Sequence, residues 1–292
     1  MSLLKQIYSS RWAYFFILPA YAFFTVFTLY PLAKGLGYSF YNVGLNNRDW
    51  VGLGNFVQMA SNEVFWTALT NTLLIVLGVV PAVIILSIFI SVLVYPLRRG
   101  AQTFFRVSFY LPVVASGVVL SMVWQWMLNP SFGLINYVLG WFGVQPVAWL
   151  GTPGLAMLSI MVVVITFVLG QPVILYLAAL GGIPSDLHEA AMIDGANSWR
   201  RFFHITLPLL RPTTLFIAVT QTIGVFQVFV VILLLTNGGP ANGTQTLVYR
   251  MYQTAFEFYQ FGYASALGVV VIIIVTIITL ILYRLLGRET EY

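Results

Sequence analysis

The sequence predicts an all-α membrane protein with six transmembrane helices, and three observations carry that expectation. Of its 292 residues, 60% are AVILMFWYC and only 7% are Asp, Glu, Lys or Arg, whereas a soluble domain carries about 25% charge. There is too little polar side chain to coat a ball in water, so the solvent is lipid. Six apolar runs, uncharged but for Arg284 near the end of the last, lie between turn signals, each near the roughly 20 residues that a helix needs to cross about 30 Å of hydrocarbon. Finally, the 13 bases are spread unevenly over the connections, as they are when basic residues stay on the cytoplasmic side.

The runs are Trp12 to Leu32, Thr72 to Val94, Val107 to Leu128, Leu155 to Leu180, Thr213 to Leu235 and Ala264 to Leu286. Ala20-Tyr21-Ala22 imitates a signal-peptidase site, but the first run continues to Leu32 without a polar segment. It reads as an uncleaved span. Pro19, Pro81, Pro112 and Pro172 predict kinks, which a bundle tolerates because neighbours and waters satisfy the freed carbonyls. With a cytoplasmic N-terminus the inner segments hold ten bases, namely Lys5, Arg11, Arg98, Arg99, Arg106, Arg200, Arg201, Arg211, Arg284 and Arg288. Lys34, Arg48 and Arg250 alone fall outside. Both termini are therefore expected in the cytoplasm, of a multi-pass protein in the cytoplasmic membrane. Topology accounts for the net charge of +5, and nucleic acid is not an expected partner.

Cysteine is absent, which excludes disulfides, thiolate metal sites and cysteine nucleophiles. Outer connections are expected over 33–71, 129–154 and 236–263, and a short basic inner one over 95–106. The whole chain, 1–292, reads as one transmembrane domain. Its anomaly is a second inner loop, 181–212, which holds both histidines; a connection of such length is uncommon unless it functions.

Within that loop Ser185 follows Pro184 as a candidate N-cap, with Asp186 and Glu189 near the positive helix end and Gly195 as a left-handed C-cap. A helix of about nine residues results. Leu187, Ala190, Ala191 and Asp194 share one face at i, i+3, i+4, i+7 spacing, and the alanines let a second body approach the backbone. A second short helix follows, capped by Asn197 or Ser198, in which aromatic and basic residues alternate as at a headgroup boundary. Arg200 and Arg201 could meet lipid phosphate or a protein partner.

Glu189-Ala190-Ala191, then Asp194-Gly195-Ala196, Phe202, Ile205, Leu207-Pro208 and Pro212 resemble the EAA loop of binding-protein-dependent ABC importer permeases. Further similarities are Gly52-Leu53-Gly54-Asn55-Phe56, Phe105-Arg106 with Leu111-Pro112, the stretch from Trp124 to Asn129 with Gly133 and Asn136, and Asn237-Gly238-Gly239-Pro240 with Thr244. These resemble the carbohydrate-uptake branch, of maltose, multiple-sugar and glycerol-3-phosphate type, and within it the first permease of a heterodimeric pair. The resemblance implies a type I ABC importer permease fold. It also implies a second homologous permease, two ATPase subunits that bind ATP and Mg, and an extracytoplasmic binding protein delivering a carbohydrate. The chain itself then needs no cofactor and no metal. In that family the helix from Ser185 to Asp194 is the coupling helix, with Ser185, Leu187, Glu189, Ala190, Ala191, Asp194 and Gly195 meeting the ATPase. Solute contacts come from the flanking spans, where the matching positions are Val164, Phe167, Val168, Gln171, Gln221, Val225 and Val228.

The residues themselves bear on rival functions. Nucleotide hydrolysis needs G-x-x-x-x-G-K-[ST] to cradle phosphates, and neither lysine follows a glycine; the chain is not expected to be an enzyme. An ion-coupled carrier needs Asp, Glu, His or Lys within the bilayer, and none of the six runs contains one. A self-contained channel or facilitator stays open as the alternative. An intramembrane enzyme built on His188 and His204 is a third, though the two lie 16 residues apart with Gly195 between. The membrane amides Gln125, Gln171, Gln221 and Gln227, with Asn129 at an outer boundary, could bond a sugar's hydroxyls or one another. Trp124, Trp126, Trp141 and Trp149 could stack on sugar rings or anchor the interface.

Overall fold

A computed structural model of the chain describes residues 11–287; Lys5 and Arg288, assigned above to the cytoplasmic side, lie outside them. The described residues form helices apart from one two-stranded hairpin. Helices α1 (Arg11–Phe24) and α2 (Tyr30–Tyr38) are joined through a π-helical turn, Thr25–Leu29. The hairpin pairs β1 (Tyr41–Val43) with β2 (Arg48–Trp50), and α3 (Gly54–Ala60) follows. Next come α4 (Glu63–Val94), α5 (Arg99–Val114), α6 (Gly117–Met127) and α7 (Leu134–Gly140). Then follow α8 (Pro153–Val168), α9 (Gly170–Gly181), α10 (Ser185–Ile193) and α11 (Ser198–Arg201). A π turn, Phe202–Thr206, leads into α12 (Leu207–Leu209), α13 (Arg211–Phe226) and α14 (Val230–Leu235). The chain ends through α15 (Leu247–Tyr252), a third π turn, Gln253–Glu257, and α16 (Phe261–Leu286).

Three helical stretches are long and apolar enough to cross a bilayer unbroken: Tyr14–Tyr38, Glu63–Val94 and Phe261–Leu286. Three more crossings come from bent pairs, Arg99–Val114 with Gly117–Met127 at 98°, Pro153–Val168 with Gly170–Gly181 at 48°, and Ser198–Leu209 with Arg211–Phe226 at 61°. The count of six agrees with the sequence, but the boundaries differ. The first crossing runs on to Tyr38, and the second begins at Glu63 rather than Thr72. The expected fifth span, Thr213 to Leu235, is not one helix: α13 ends at Phe226, and Phe229 (φ −129°, ψ −54°) breaks the chain before α14.

Proline explains part of the bending. The π turns Thr25–Leu29 and Phe202–Thr206 each end two residues before a proline, Pro31 and Pro208. A proline ring clashes with the carbonyl four residues back and offers it no N–H, and a wider i→i+5 turn moves that carbonyl aside. The kink expected at Pro81 is no break, since α4 continues through it to Val94. The 98° turn lies beyond Pro112, at Ala115 and Ser116, whose ψ values of 146° and 135° are extended; Ser116 Oγ then caps α6 by accepting from Val118 N at 3.3 Å.

Two compact units make up the chain. One comprises the described residues through Ser61 together with Met251–Val270. In it Asn55 on α3 donates to the carbonyls of Ser39 and Tyr41 at 2.8 and 2.9 Å, and the Arg48 guanidinium lies 5.3 and 5.0 Å from the Tyr38 and Tyr41 rings. The other comprises Asn62–Arg250 and the described residues from Val271 onward. Its core joins Ile75, Val79 and Val83 of α4 to Ile160 and Val164 of α8, with Val225, Phe226 and Ile232 from α13 and α14.

Candidate functional site

The 181–212 loop contains the helix that its sequence brackets. Its residues rise from Pro184 (φ −58°, ψ 131°) and run to Ile193. Ser185 does not cap, contrary to expectation. Pro184 supplies the extended residue before the first turn, and Ser185 Oγ donates to Asp186 Oδ1 at 3.3 Å. The C-terminal end is closed as expected: Gly195 has φ +78°, its N–H donates to Met192 O at 3.1 Å, and Ala196 N donates to Ala191 O at 2.8 Å. This pair of bonds is a Schellman motif. It satisfies carbonyls that would otherwise be orphaned at the helix end.

The helix shows two stripes. Ser185, His188, Glu189 and Met192 line a cavity of about 470 Å³ behind it, together with Arg201 and Phe202 from the following segment. Leu187, Ala190 and Asp194 are exposed on the adjoining stripe, with Ala191 half-buried. Glu189 is thus exposed at the cavity mouth and separate from the Leu187 stripe. Ile193 is 88% exposed at the last helical position. The spacing argument missed it, although an aliphatic side chain immediately before Asp-Gly was the available signal.

Asn197, the first of the two expected caps, closes the next helix by accepting from Arg200 N at 2.9 Å. Trp199 and Phe203 stack with centroids 5.8 Å apart, and both are exposed. His204 Nδ1 lies 3.0 Å from Arg200 O, whereas His188 faces the cavity. Among the described residues no group of three or more His, Asp or Glu stands close enough to hold a metal.

Several candidate solute contacts have internal partners. Gln125 Nε2 donates to Leu234 O at 3.2 Å, Asn129 Oδ1 accepts from Ser131 N at 2.9 Å, and Trp124 Nε1 donates to Thr166 Oγ1 at 3.2 Å. Asn136, in the second outer loop, donates to Val147 O at 2.9 Å and accepts from Trp149 Nε1 at 3.0 Å. These groups hold the loop together. Val164, Phe167, Val168, Val225 and Val228 all belong to the main core cluster, with Val225 only 2% exposed and Phe167 half-buried. Gln221 is buried on α13, and no hydrogen bond engages its carboxamide among the described residues. Gln171 is exposed beside the bend between α8 and α9, and Gln227 is exposed where α13 ends.

The connection after Leu235 is tied down more firmly than its composition suggested. Asn71, near the start of α4, donates to Asn242 O and Gln245 O, both at 3.0 Å. Thr72 Oγ1 accepts from Leu247 N at 3.0 Å, and Tyr249 OH donates to Asn237 Oδ1 at 2.6 Å. Asn237, Ala241 and Asn242 all adopt positive φ, so the segment is a shaped cap rather than a slack connection.

Comparison with known proteins places this geometry. The model of the family described as binding-protein-dependent transport system inner membrane component matches residues 51–292. The lactose transport system permease protein LacF of Rhizobium radiobacter is 34% identical over 283 residues, covering 95% of this chain and 94% of that protein. The sn-glycerol-3-phosphate transport system permease protein UgpA of Yersinia pestis is 31% identical, covering 100% of both. Among solved structures, a chain of a bacterial ABC transporter involved in import of the acidic polysaccharide alginate superposes with a TM-score of 0.87 at 26% identity, covering 99% of each chain. A chain of the alginate transporter in complex with an alginate pentasaccharide-bound periplasmic protein gives 0.85 at 26% identity, covering 97% and 96%.

Proposed function

The chain belongs to the binding-protein-dependent transport system inner membrane component family, and from that premise we propose that its Ser185–Ile193 helix is the element through which separate ATPase subunits drive solute across the membrane. The protein is a multi-pass permease subunit of an ABC importer for a sugar or sugar derivative, and it is not itself an enzyme. In our reading it pairs with a second, homologous permease. Two ATPases carrying ATP and Mg grip the two inner loops, and an extracytoplasmic protein presents the solute at the outer face. Both termini, and with them residues 181–212, lie in the cytoplasm of the single transmembrane domain.

The observation that carries the reading is a capped helix with Leu187, Met192 and Ile193 standing 42, 51 and 88% exposed. An aliphatic side chain at a helix end gains about 1.5–3 kcal/mol on full burial, so this helix is stabilised when a partner covers it. Ser185, Leu187, Ala190, Ala191 and Asp194 offer the close surface, Gly195 fixes its end, and Glu189 supplies the charge. The sequence has no cysteine, so Ile193→Cys provides a unique thiol on this chain. A thiol-directed photo-crosslinker at that position is expected to capture the ATPase subunit in a transporter actively importing solute. Capture of lipid alone would overturn the assignment.

Solute meets Gln171, Gln221 and Gln227, with Phe167 and Val225 in the wall beside them. The physical support is that Gln221 is largely buried on α13 while its carboxamide, which has no internal hydrogen bond among the described residues, is not among the fully occluded polar atoms, so it is open to a sugar hydroxyl. Gln171→Ala and Gln221→Ala are each expected to raise the half-saturating solute concentration about three- to ten-fold, the worth of one neutral hydrogen bond. Uptake kinetics in cells, with assembly checked by co-purification, measure this. An unchanged half-saturation point would remove that glutamine from the path.

A further inference from the structure

The groove behind the Ser185–Ile193 helix contains two cavities that share a wall. One, about 470 Å³, has a largely apolar wall into which Ser185, His188 and Glu189 on α10 and Ser198 and Arg201 opposite bring polar groups. Arg201 Nε is buried and donates to no acceptor, while Nη2 reaches Ser198 Oγ at a long 3.4 Å. Glu189 borders the same cavity without accepting from that Nε. A buried guanidinium N–H is costly unless something accepts from it, so the Arg201 guanidinium is left short of an acceptor even with Glu189 on the same cavity.

The second cavity, about 510 Å³, is apolar. Ile85, Phe89 and Val92 form one wall, and Trp199, Phe203 and Leu207 the other. The first three lie at i, i+4, i+7 on α4, a stripe about 10 Å long that runs from the cytoplasmic end of a membrane span toward its middle. Val92, Ser198 and Phe202 border both cavities. A chamber edged by a few charged and hydrogen-bonding side chains therefore opens onto an apolar slot along a membrane span.

We propose that this continuous site binds one anionic phospholipid of the cytoplasmic leaflet. The phosphate accepts from the outer N–H groups of the Arg201 guanidinium and from Ser198 Oγ, neutral headgroup hydroxyls meet Ser185 and His188, and one acyl chain lies along Ile85, Phe89 and Val92. A free phosphate would leave the slot empty. A zwitterionic headgroup, whose ammonium would meet Glu189 at the cavity mouth, is the competing outcome that the lipid comparison below decides. Arg98 and Arg99, three and four residues beyond Tyr95 at the cavity edge, add attraction for a net negative lipid. Such a lipid wedges between the coupling helix and the span that follows it, so that membrane composition tunes how stiffly the two move together. The proposal rests on the inner loop facing the cytoplasm, as argued above.

The test uses the complete transporter, extracted in mild detergent and exchanged into lipid-free micelles. Native mass spectrometry then counts retained lipid after incubation with phosphatidylglycerol, phosphatidylethanolamine or phosphatidylcholine. Wild type is expected to hold phosphatidylglycerol selectively, and millimolar inorganic phosphate is expected not to displace it. Arg201→Gln and Ile85→Trp remove the head and tail contacts separately, and each is expected to weaken retention about ten-fold or more, as for loss of a charge-assisted hydrogen bond or of an apolar chain site. Unchanged retention in both variants, equal retention of the three lipids, or displacement by inorganic phosphate would overturn the proposal. Should Arg201→Gln fail to assemble, Ile85→Trp decides alone. Co-purifying ATPase, quantified in the same samples, reports on docking independently: lipid retained with ATPase lost counts against the coupling reading and not against the lipid site.

Discussion

Gly195→Val is expected to cut solute uptake at least about ten-fold, the equivalent of roughly 1.4 kcal/mol, while the permease stays in the membrane at its normal level. Gly195 sits at φ +78° with nothing within 4 Å of where a Cβ would stand. An added Cβ therefore meets no neighbour, and its penalty is conformational. An L-residue pays about 1–2 kcal/mol in the left-handed region, and a β-branched one pays more. The cheapest relief is to abandon the Schellman bonds from Gly195 and Ala196, and that unwinds the end carrying Ile193. Asparagine tolerates the left-handed region better than most residues, so Gly195→Asn should recover much of the uptake. Radiolabelled uptake with immunoblotting of membranes distinguishes the possibilities. Wild-type uptake in the valine variant would show that the helix end does not matter, and equal loss in both variants would point to a lost contact rather than to backbone geometry.

Gly170→Val should instead remove the protein. Gly170 opens α9 at the 48° bend, where the chain passes so close to α5 that a Cβ would fall onto the Phe109 carbonyl, 2.9 Å from its carbon and 3.0 Å from Val113 Cγ2. Backbone cannot swing away as a flexible side chain can. Small residues at helix contacts permit this kind of approach in membranes, and overpacking such a site costs about 3 kcal/mol or more, a large share of a typical 5–15 kcal/mol stability. Size-exclusion chromatography of solubilised protein should show little monodisperse Gly170→Val, with Gly170→Ala intermediate because it adds the clashing Cβ but not the two methyls. A valine variant that elutes at wild-type yield would contradict the close approach.

The two glycines illustrate what a sequence exposes and what it conceals. Gly195 was legible because Asp-Gly after a helical stripe is a local signal, and the membrane crossings were legible because apolar length is a one-dimensional property. Gly170 lies inside an apolar run, and its constraint comes from Phe109, 61 positions earlier. The bends were only half visible. Pro31 and Pro208 announce themselves, but the sharpest turn rests on the extended backbone of Ala115 and Ser116, residues with no such preference. The misplaced fifth crossing has the same origin, since Val230–Leu235 is as apolar as any span and only its packing on the core sets it apart. In the 181–212 loop the helix limits could be read, while the stripe rule favoured Leu187 and its neighbours over Ile193. Arg201 went undistinguished from Arg200 because only three-dimensional placement buries its Nε.

The wide turn ahead of Pro208 bears on how a stroke would be relayed. One residue of α-helix corresponds to about 100° of rotation, and a π turn accommodates one surplus residue. If Ser185–Ile193 receives the stroke as proposed, Phe202–Thr206 would act as a fixed angular offset in a drive shaft, setting which flank of Arg211–Phe226 points inward for a given attitude of that helix. A relative that lacked the proline and wound this stretch regularly would have to dispose its inward-pointing residues about a quarter-turn differently to act on the same cargo.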